Sequence, residues 1–214
     1  MLGFAIHTAS PQLGLMLQGT DPDGEAISRH QVWDLGREVT SQLHAKMVEF
    51  IEPYSWQDLG FVAVAKGPGG FTGTRIGVVA ARTLAQQLEI PLFGVSCLAA
   101  LAVPSLGKSF DRKDIAVSMA AKREAVFGAV YRPTANGDTD LVAVRSDEVV
   151  PIAEWATILT GWDRPVVDVP VAAGVGLGNS VTGVMEIAIA RYRKGERPDW
   201  SSVMPFYGQH PVHR

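Results

Sequence analysis

One short segment constrains this chain more than any other: Gly67-Pro68-Gly69-Gly70-Phe71-Thr72-Gly73-Thr74-Arg75, between the apolar run Phe61 to Ala65 and the apolar stretch Ile76 to Leu88. A buried strand that passes through a glycine-rich turn into a helix is an α/β pattern. Glycine accepts positive φ and lets another backbone or a phosphate come close, Pro68 stiffens the turn, and free N–H groups at a helix start attract anions. Such geometry suits a nucleotide and equally suits a tight partner contact. It is not the phosphate loop G-x-x-x-x-G-K-[ST], because neither Gly67 nor Gly69 is followed at the right spacing by Gly-Lys. The only cation is Arg75, for which a local salt bridge or helix-start packing stands beside any binding role.

At 214 residues the chain can build one large or two small lobes with real cores. A hydrophobic content of 47%, a charged content of 19% and a net charge of −3 describe an ordinary globular protein. They exclude a general basic surface for nucleic acid. The one cysteine, Cys97, rules out an internal disulfide framework and reads as a buried small hydrophobe in a reducing compartment. No basic segment precedes an apolar run at the N-terminus, and Arg75, Arg82 and Arg191 interrupt the best candidates for a membrane span. The expectation is a cytoplasmic protein with no membrane association.

Leu2 to Ile6, Leu13 to Leu17 and a short piece near Ala26-Ile27 read as an antiparallel meander, with Asp21-Pro22-Asp23-Gly24 as a hairpin turn and not a calcium loop. From Ser28 the pattern turns helical, with Val32, Leu35, Val39, Leu43, Met47 and Phe50 spaced near 3.6 residues, until Pro53 ends it. The second helix, Thr74 to Leu88, is apolar nearly all round, so more than one side needs cover. One side can pack on the sheet formed by Phe61 to Ala65 and Leu92 to Val95. The other needs the first helix, a second lobe or another subunit. After Pro104 and the polar stretch Gly107 to Lys113, strands are predicted at Ile115 to Met119, Ala125 to Tyr131 and Leu141 to Val144, with Asn136-Gly137 as the last turn. Helices are predicted at Ile152 to Leu159 and Ser180 to Lys194. Between them Gly174-Val175-Gly176-Leu177-Gly178-Asn179 lacks the third glycine of a dinucleotide fingerprint and reads as a turn, capped by Asn179 or Ser180. The last ten residues read as a docked or frayed tail.

The block from Gly67 to Leu101 closely resembles the TsaB (YeaZ) family of the bacterial threonylcarbamoyladenosine tRNA-modification system. That family writes the loop G-P-G-S-F-T-G-[LV]-R-I-G, from which Gly70 and Thr74 depart. Ala5-Ile6-His7-Thr8-Ala9 resembles its A-I-D-T-A opening, and Pro205-Phe206-Tyr207 its closing P-x-Y-L-R; the resemblance weakens after about residue 105. It implies an α/β fold of the actin-like ATPase and sugar-kinase type with two lobes, each a mixed sheet flanked by helices. The expected division is residues 1–104 and a reduced second lobe, 105–214, whose last helix or tail packs back on the first. It implies a non-catalytic subunit that supports the catalytic TsaD together with the ATPase TsaE, pairs through the two first-lobe helices with TsaD or with a second copy of itself, and meets tRNA only through the complex. The contact residues carried over are Leu35, Val39, Leu43, Met47, Val78, Val79 and Arg82, with Phe71, Thr72, Thr74 and Arg75 at the edge and Gly67, Pro68, Gly69, Gly70 and Gly73 as the loop motif. No intrinsic cofactor is implied; ATP or ADP belongs, if anywhere, at the junction with TsaD.

The chain's own residues bear on whether it is catalytic. Catalytic relatives hold a metal through an H-x-x-x-H pair on the first helix, whereas His30 and His44 are too far apart to share an ion, and His210 and His213 lack an acidic third ligand. No metal site and no catalytic residue are therefore assigned. No G-x-S-x-G nucleophile turn occurs, and Cys97 has no signature of activation. His7 stands where the family has an Asp that positions metal-bound phosphate, and imidazole is a poor ligand for Mg²⁺. The family's D-A-R-x-x-E-V-Y segment reads here from Ala120 to Phe127, without its Asp, and Pro205-Phe206-Tyr207-Gly208-Gln209 lacks the closing Arg. The competing reading is an enzyme of the same fold, a nucleotide-dependent transferase or a glycoprotease-like peptidase, using Gly67 to Arg75 as an anion cradle.

Overall fold

Strand β1 (Leu2–His7) alternates Leu2, Phe4 and Ile6 with Gly3, Ala5 and His7, and the two sets face opposite layers of the protein. The computed structural model describes residues 1–106, 113–134, 139–172 and 176–208. β1 pairs antiparallel with β2 (Gln12–Thr20), which pairs antiparallel with β3 (Ala26–Asp34). On its other side β1 runs parallel to β4 (Leu59–Ala65), and β4 parallel to β5 (Leu92–Val95), giving the order β3-β2-β1-β4-β5. A second mixed sheet, β8-β7-β6-β9, is built from β6 (Ile115–Ala120), β7 (Ala125–Pro133), β8 (Leu141–Pro151) and β9 (Val166–Ala172), with β6 and β9 parallel.

The helices sort the sheets into layers. Helices α1 (Val39–Ile51) and α2 (Phe71–Leu88) cover one face of the first sheet, where Leu43, Met47, Phe50, Val78, Ala81 and Ala85 meet Leu2, Phe4, Ile6, Leu15 and Val62. Helices α3 (Cys97–Ala102) and α5 (Val181–Arg193) lie between the sheets. A single buried cluster runs from Ala5, Phe61 and Phe93 through Val184 and Ile187 to Met119, Phe127 and Tyr131. Helix α4 (Ile152–Ile158) closes the far face of the second sheet with Trp155 against Val130 and Val150. This α/β architecture of two mixed sheets flanked by helices is the one the resemblance implied. Among the described residues no helix is long and apolar enough to cross a membrane.

The structure revises several sequence expectations. The periodicity predicted a helix from Ser28, but residues 26–34 are strand β3, and α1 starts only at Val39. β3 pairs with β2 residue for residue from Gln12↔Asp34 to Thr20↔Ala26, so backbone pairing overrides the spacing of Val32 and Leu35. Gly36, at φ 57, then turns the chain into a short 3₁₀ segment (Gly36–Glu38), which leaves Leu35 outside the helix. α2 begins at Phe71 and not Thr74, because Gly70 occupies the N-cap position and accepts from the Thr74 N–H at 2.9 Å. β8 continues well past Val144, and β9 was not foreseen. Ser180 holds the N-cap position of α5, yet its hydroxyl donates to the Leu177 carbonyl and does not cap. The Asp21–Gly24 hairpin turn is present, with the Gly24 N–H donating to Asp21 O at 3.1 Å. Asn136-Gly137, most of Gly107 to Lys113, Gly174-Val175, His210 and His213 lie outside the described residues.

Leu43 is fully buried between α1 and the first sheet. Leu43→Ala is expected to lower unfolding stability by about 2–5 kcal/mol, through lost transfer energy and the cavity left behind. Urea unfolding followed by circular dichroism measures it.

Candidate functional site

The glycine turn is wrapped by the chain's own backbone. At the end of β4 the Lys66 N–H donates to Val95 O at 2.8 Å, and Gly67 takes φ 100. The Gly70 N–H donates to Ala9 O at 2.7 Å, and the Thr8 hydroxyl donates to Gly73 O at 2.8 Å. A Cβ on Gly69 would stand 2.3 Å from Ala9 O, and one on Gly73 would stand 2.1 Å from Thr8 O. Any side chain there would collide with main chain, which cannot rotate away. The start of α3 and the C-terminal segment close the other sides, with Cys97 N–H to Gly67 O at 2.8 Å and Phe206 N–H to Lys66 O at 2.7 Å. Gly67 and Pro68 are buried; Gly70 alone of the loop glycines is exposed. Main chain of Phe206, Ala9 and Thr8 takes the space that a side chain at Gly67, Gly69 or Gly73 would need, and the Gly70 N–H is already bonded to Ala9 O.

Beneath this turn, at the end of β1, His7 and Cys97 are both fully buried, with Cys97 Sγ 3.7 Å from His7 Nε2. His7 Nδ1 has no hydrogen-bond partner among the described residues. Burial depresses the His7 pKa from 6.5 to about 4 and pushes the Cys97 thiol up to about 12. Both groups are neutral near pH 7, so the pair is not an activated thiolate with an imidazolium partner.

The predicted contact residues divide into two sets. Val39, Leu43, Met47, Thr74 and Val78 are buried in the chain's own core, and Leu35 packs at its margin before α1. Phe71, Thr72, Arg75 and Val79 are exposed along α2, with Arg82 half-buried. Val79 and Val48 each keep 55% of their surface exposed. Between them α1 and α2 form a largely apolar groove of ≈ 580 Å³, lined by Thr40, His44, Val48, Ile76, Val79 and Thr83. The stripe Thr40, His44, Val48 was missed because the buried stripe Val39, Leu43, Met47 sits one position away and carries the stronger apolar signal. The C-terminal segment borders the same helix: Tyr207 packs on Phe71 with ring centroids 4.6 Å apart, and Trp200 lies under the Arg82 guanidinium at 5.4 Å. Among the described residues Arg75 makes no ion pair, and no group of three or more His, Cys, Asp or Glu side chains is placed to hold a metal. His30 and His44 lie on separate elements, β3 and α1.

A family model described as TsaD, tRNA N6-adenosine threonylcarbamoyltransferase, matches residues 47–161, just over half of the chain. The chain is 43% identical over 110 residues to the tRNA threonylcarbamoyladenosine biosynthesis protein TsaB of Bacillus subtilis, covering 51% of this chain and 45% of that protein. It is 34% identical over 117 residues to the Escherichia coli protein of the same description, covering 50% of each. The chain belongs to the TsaB (YeaZ) family. It spans about half the length of these curated relatives. Its fold is that of YeaZ from Pseudomonas aeruginosa, which superposes with a TM-score of 0.71 over 96% of this chain and 99% of that one, at 20% identity. Against the family's opening motif, the departure at His7 acquires a physical description: a neutral, desolvated imidazole with one orphaned nitrogen.

That burial has a pH consequence. Because the folded-state pKa of His7 lies below its ordinary value, the unfolded chain takes up a proton below pH 6.5 that the folded chain refuses until about pH 4. Stability is expected to fall as pH drops through this window, by roughly 3 kcal/mol in all, and the loss should be smaller in His7→Asn. Urea midpoints of both proteins across the window measure the difference.

Proposed function

We propose that this chain is a non-catalytic scaffold subunit in threonylcarbamoyladenosine (t6A) modification of tRNA, docking a TsaD-like subunit on the outer face of α1 and α2. The observation that carries the reading is the apolar groove between these helices, with Val48 and Val79 on its rims. Exposed apolar surface of this extent on paired helices is a mark of protein contact. Family membership supplies the partner: the matched relatives are described as t6A biosynthesis proteins, and the family model is described as the transferase TsaD. On this reading a TsaE-like ATPase completes the complex, a second copy of the chain competes for the same face, and any ATP or ADP sits at the junction with the TsaD-like subunit. With a net charge of −3, tRNA affinity belongs mainly to the partner, in the cytoplasm. The non-catalytic role is supported by the neutral His7 in place of a phosphate-positioning carboxylate, and by a glycine turn whose Gly70 N–H is already taken by Ala9 O.

The test is t6A formation on tRNA by threonylcarbamoyl-adenylate synthase, TsaD and TsaE, with and without this chain. Product that needs the chain, while the chain alone turns over no ATP, is the expected result. Product formed equally without it would refute the scaffold reading, and ATP turnover by the isolated chain would revive the enzyme reading. Val79→Glu is expected to keep the wild-type unfolding midpoint and weaken capture of the TsaD-like subunit at least about tenfold, since a charge would be desolvated at the contact. Leu43→Ala is the control that loses stability first. Equilibrium binding and urea unfolding of the two variants side by side separate the cases.

A further inference from the structure

A second cavity lies on the opposite side of the first sheet from the helix face, between the two sheets. It has a volume of ≈ 330 Å³, and the proposed docking role makes no use of it. Lys66 and Ser96 enter it directly after the carboxyl ends of the parallel strands β4 and β5, the end of an open α/β sheet at which ligands are bound. Tyr131 comes from β7 and Asp147 from β8, while Ala99, Leu141 and Phe206 supply apolar wall. Its mouth opens past Ala143 and Ser146, which are exposed.

The backbone of β8 is deformed at this point. Gly128 pairs with Glu148 and Val130 with Arg145, so Ser146 and Asp147 together oppose the single residue Ala129. Such a bulge re-aims a side chain and is enriched beside binding sites. Here both bulged residues line the cavity. Tyr131 donates its hydroxyl hydrogen toward Asp147 Oδ1 and stands 3.0 Å from Ser96 Oγ, so a chain of polar contacts joins Ser96, Tyr131 and the carboxylate.

The charges across the cavity are unclosed. Burial raises the pKa of Asp147, while donors on Ser96 and Tyr131 and the nearby positive charge of Lys66 work against that rise. Lys66 and Asp147 line the same cavity, yet among the described residues Lys66 makes no ion pair with Asp147 or with any other carboxylate. Arg191, by contrast, is already matched, its Nε 3.1 Å from Asp140 Oδ1. A cation and a carboxylate held apart across a small cleft are complementary to a molecule bearing the opposite pair of charges. We propose that this cleft binds a small zwitterion of the α-amino-acid class, its carboxylate on Lys66 and its ammonium on Asp147. Single-charge molecules satisfy only one side, and large ones exceed the volume.

The intact chain is titrated by calorimetry with glycine, L-alanine, L-serine and L-glutamate, and with acetate and ethylamine as half-ligands. At least one amino acid is expected to bind saturably, about tenfold or more tighter than either half-ligand. Lys66→Met is expected to weaken the amino acid and acetate alike, and Asp147→Asn the amino acid but not acetate. Ala143→Trp fills the mouth from an exposed position, so binding should be lost while the fold, checked by circular dichroism, is kept. The proposal is overturned if no member of the panel binds the wild-type chain at about 10 mM, a weak-ligand limit. It is also overturned if binding survives Ala143→Trp unchanged, or if half-ligands bind as well as the amino acid.

Discussion

The main-chain contact between the β1–β2 turn and the glycine turn fixes nearly everything else about this protein. Two hydrogen bonds, Gly70 N–H to Ala9 O and Thr8 hydroxyl to Gly73 O, fasten the start of α2 to the end of β1. They can form only because no Cβ intervenes at Gly69 or Gly73. Once the first turn of α2 is pinned, the direction of the helix is set, and with it the choice of which stripe faces the sheet. Thr74, Val78, Ala81 and Ala85 go inward, so Thr72, Arg75, Val79 and Thr83 must face out. His7, at the end of the same strand, is fully buried, and that burial keeps its imidazole neutral.

Seen this way, the unusual apolarity of α2 has two causes and not one. One stripe is ordinary core. A second, through Ile76, Val79 and Ala80, borders the groove toward α1, which covers α2 only in part. A helix with a single buried side would carry polar residues at Val79, and the C-terminal segment does not supply the cover either, because it runs along the Phe71 and Arg82 flank. The burial of Leu43 and the exposure of Val79 therefore have different physical origins, although both read as apolar helix positions in the sequence.

How much of this was legible in the sequence depended on whether the decisive interaction was local. The strand, glycine turn and helix from Phe61 to Leu88 are local and were readable, as was the burial of Cys97. The first helix was misjudged at its start because β3 is held by β2, a pairing set by the Asp21–Gly24 turn and invisible to a helical period. The purpose of the glycines was only half legible. Positive φ and close approach were foreseeable, but whether a phosphate or Ala9 O would occupy the space depends on a strand some sixty positions earlier in the chain.

The inter-sheet cleft shows the limit most clearly. Ser96, Tyr131 and Asp147 belong to no motif and share no spacing, and each has an ordinary local explanation: helix cap, strand aromatic, strand carboxylate. Ser96 does cap α3, accepting from the Leu98 and Ala99 N–H groups. The bulge opposite Ala129, one of two register shifts between β7 and β8, brings Asp147 to the other two, and a bulge leaves no mark on a strand's hydrophobic alternation beyond a change of phase. In β8 that alternation is already blurred, because Val142 and Val144 are exposed. A half-buried carboxylate held by hydroxyls from the α3 cap and from β7 is costly to assemble unless it is hydrogen-bonded on all sides or receives a charge from outside. Tyr131 and Ser96 provide the first in part, and Lys66, on the same cavity wall without an ion pair to Asp147, does not provide the second.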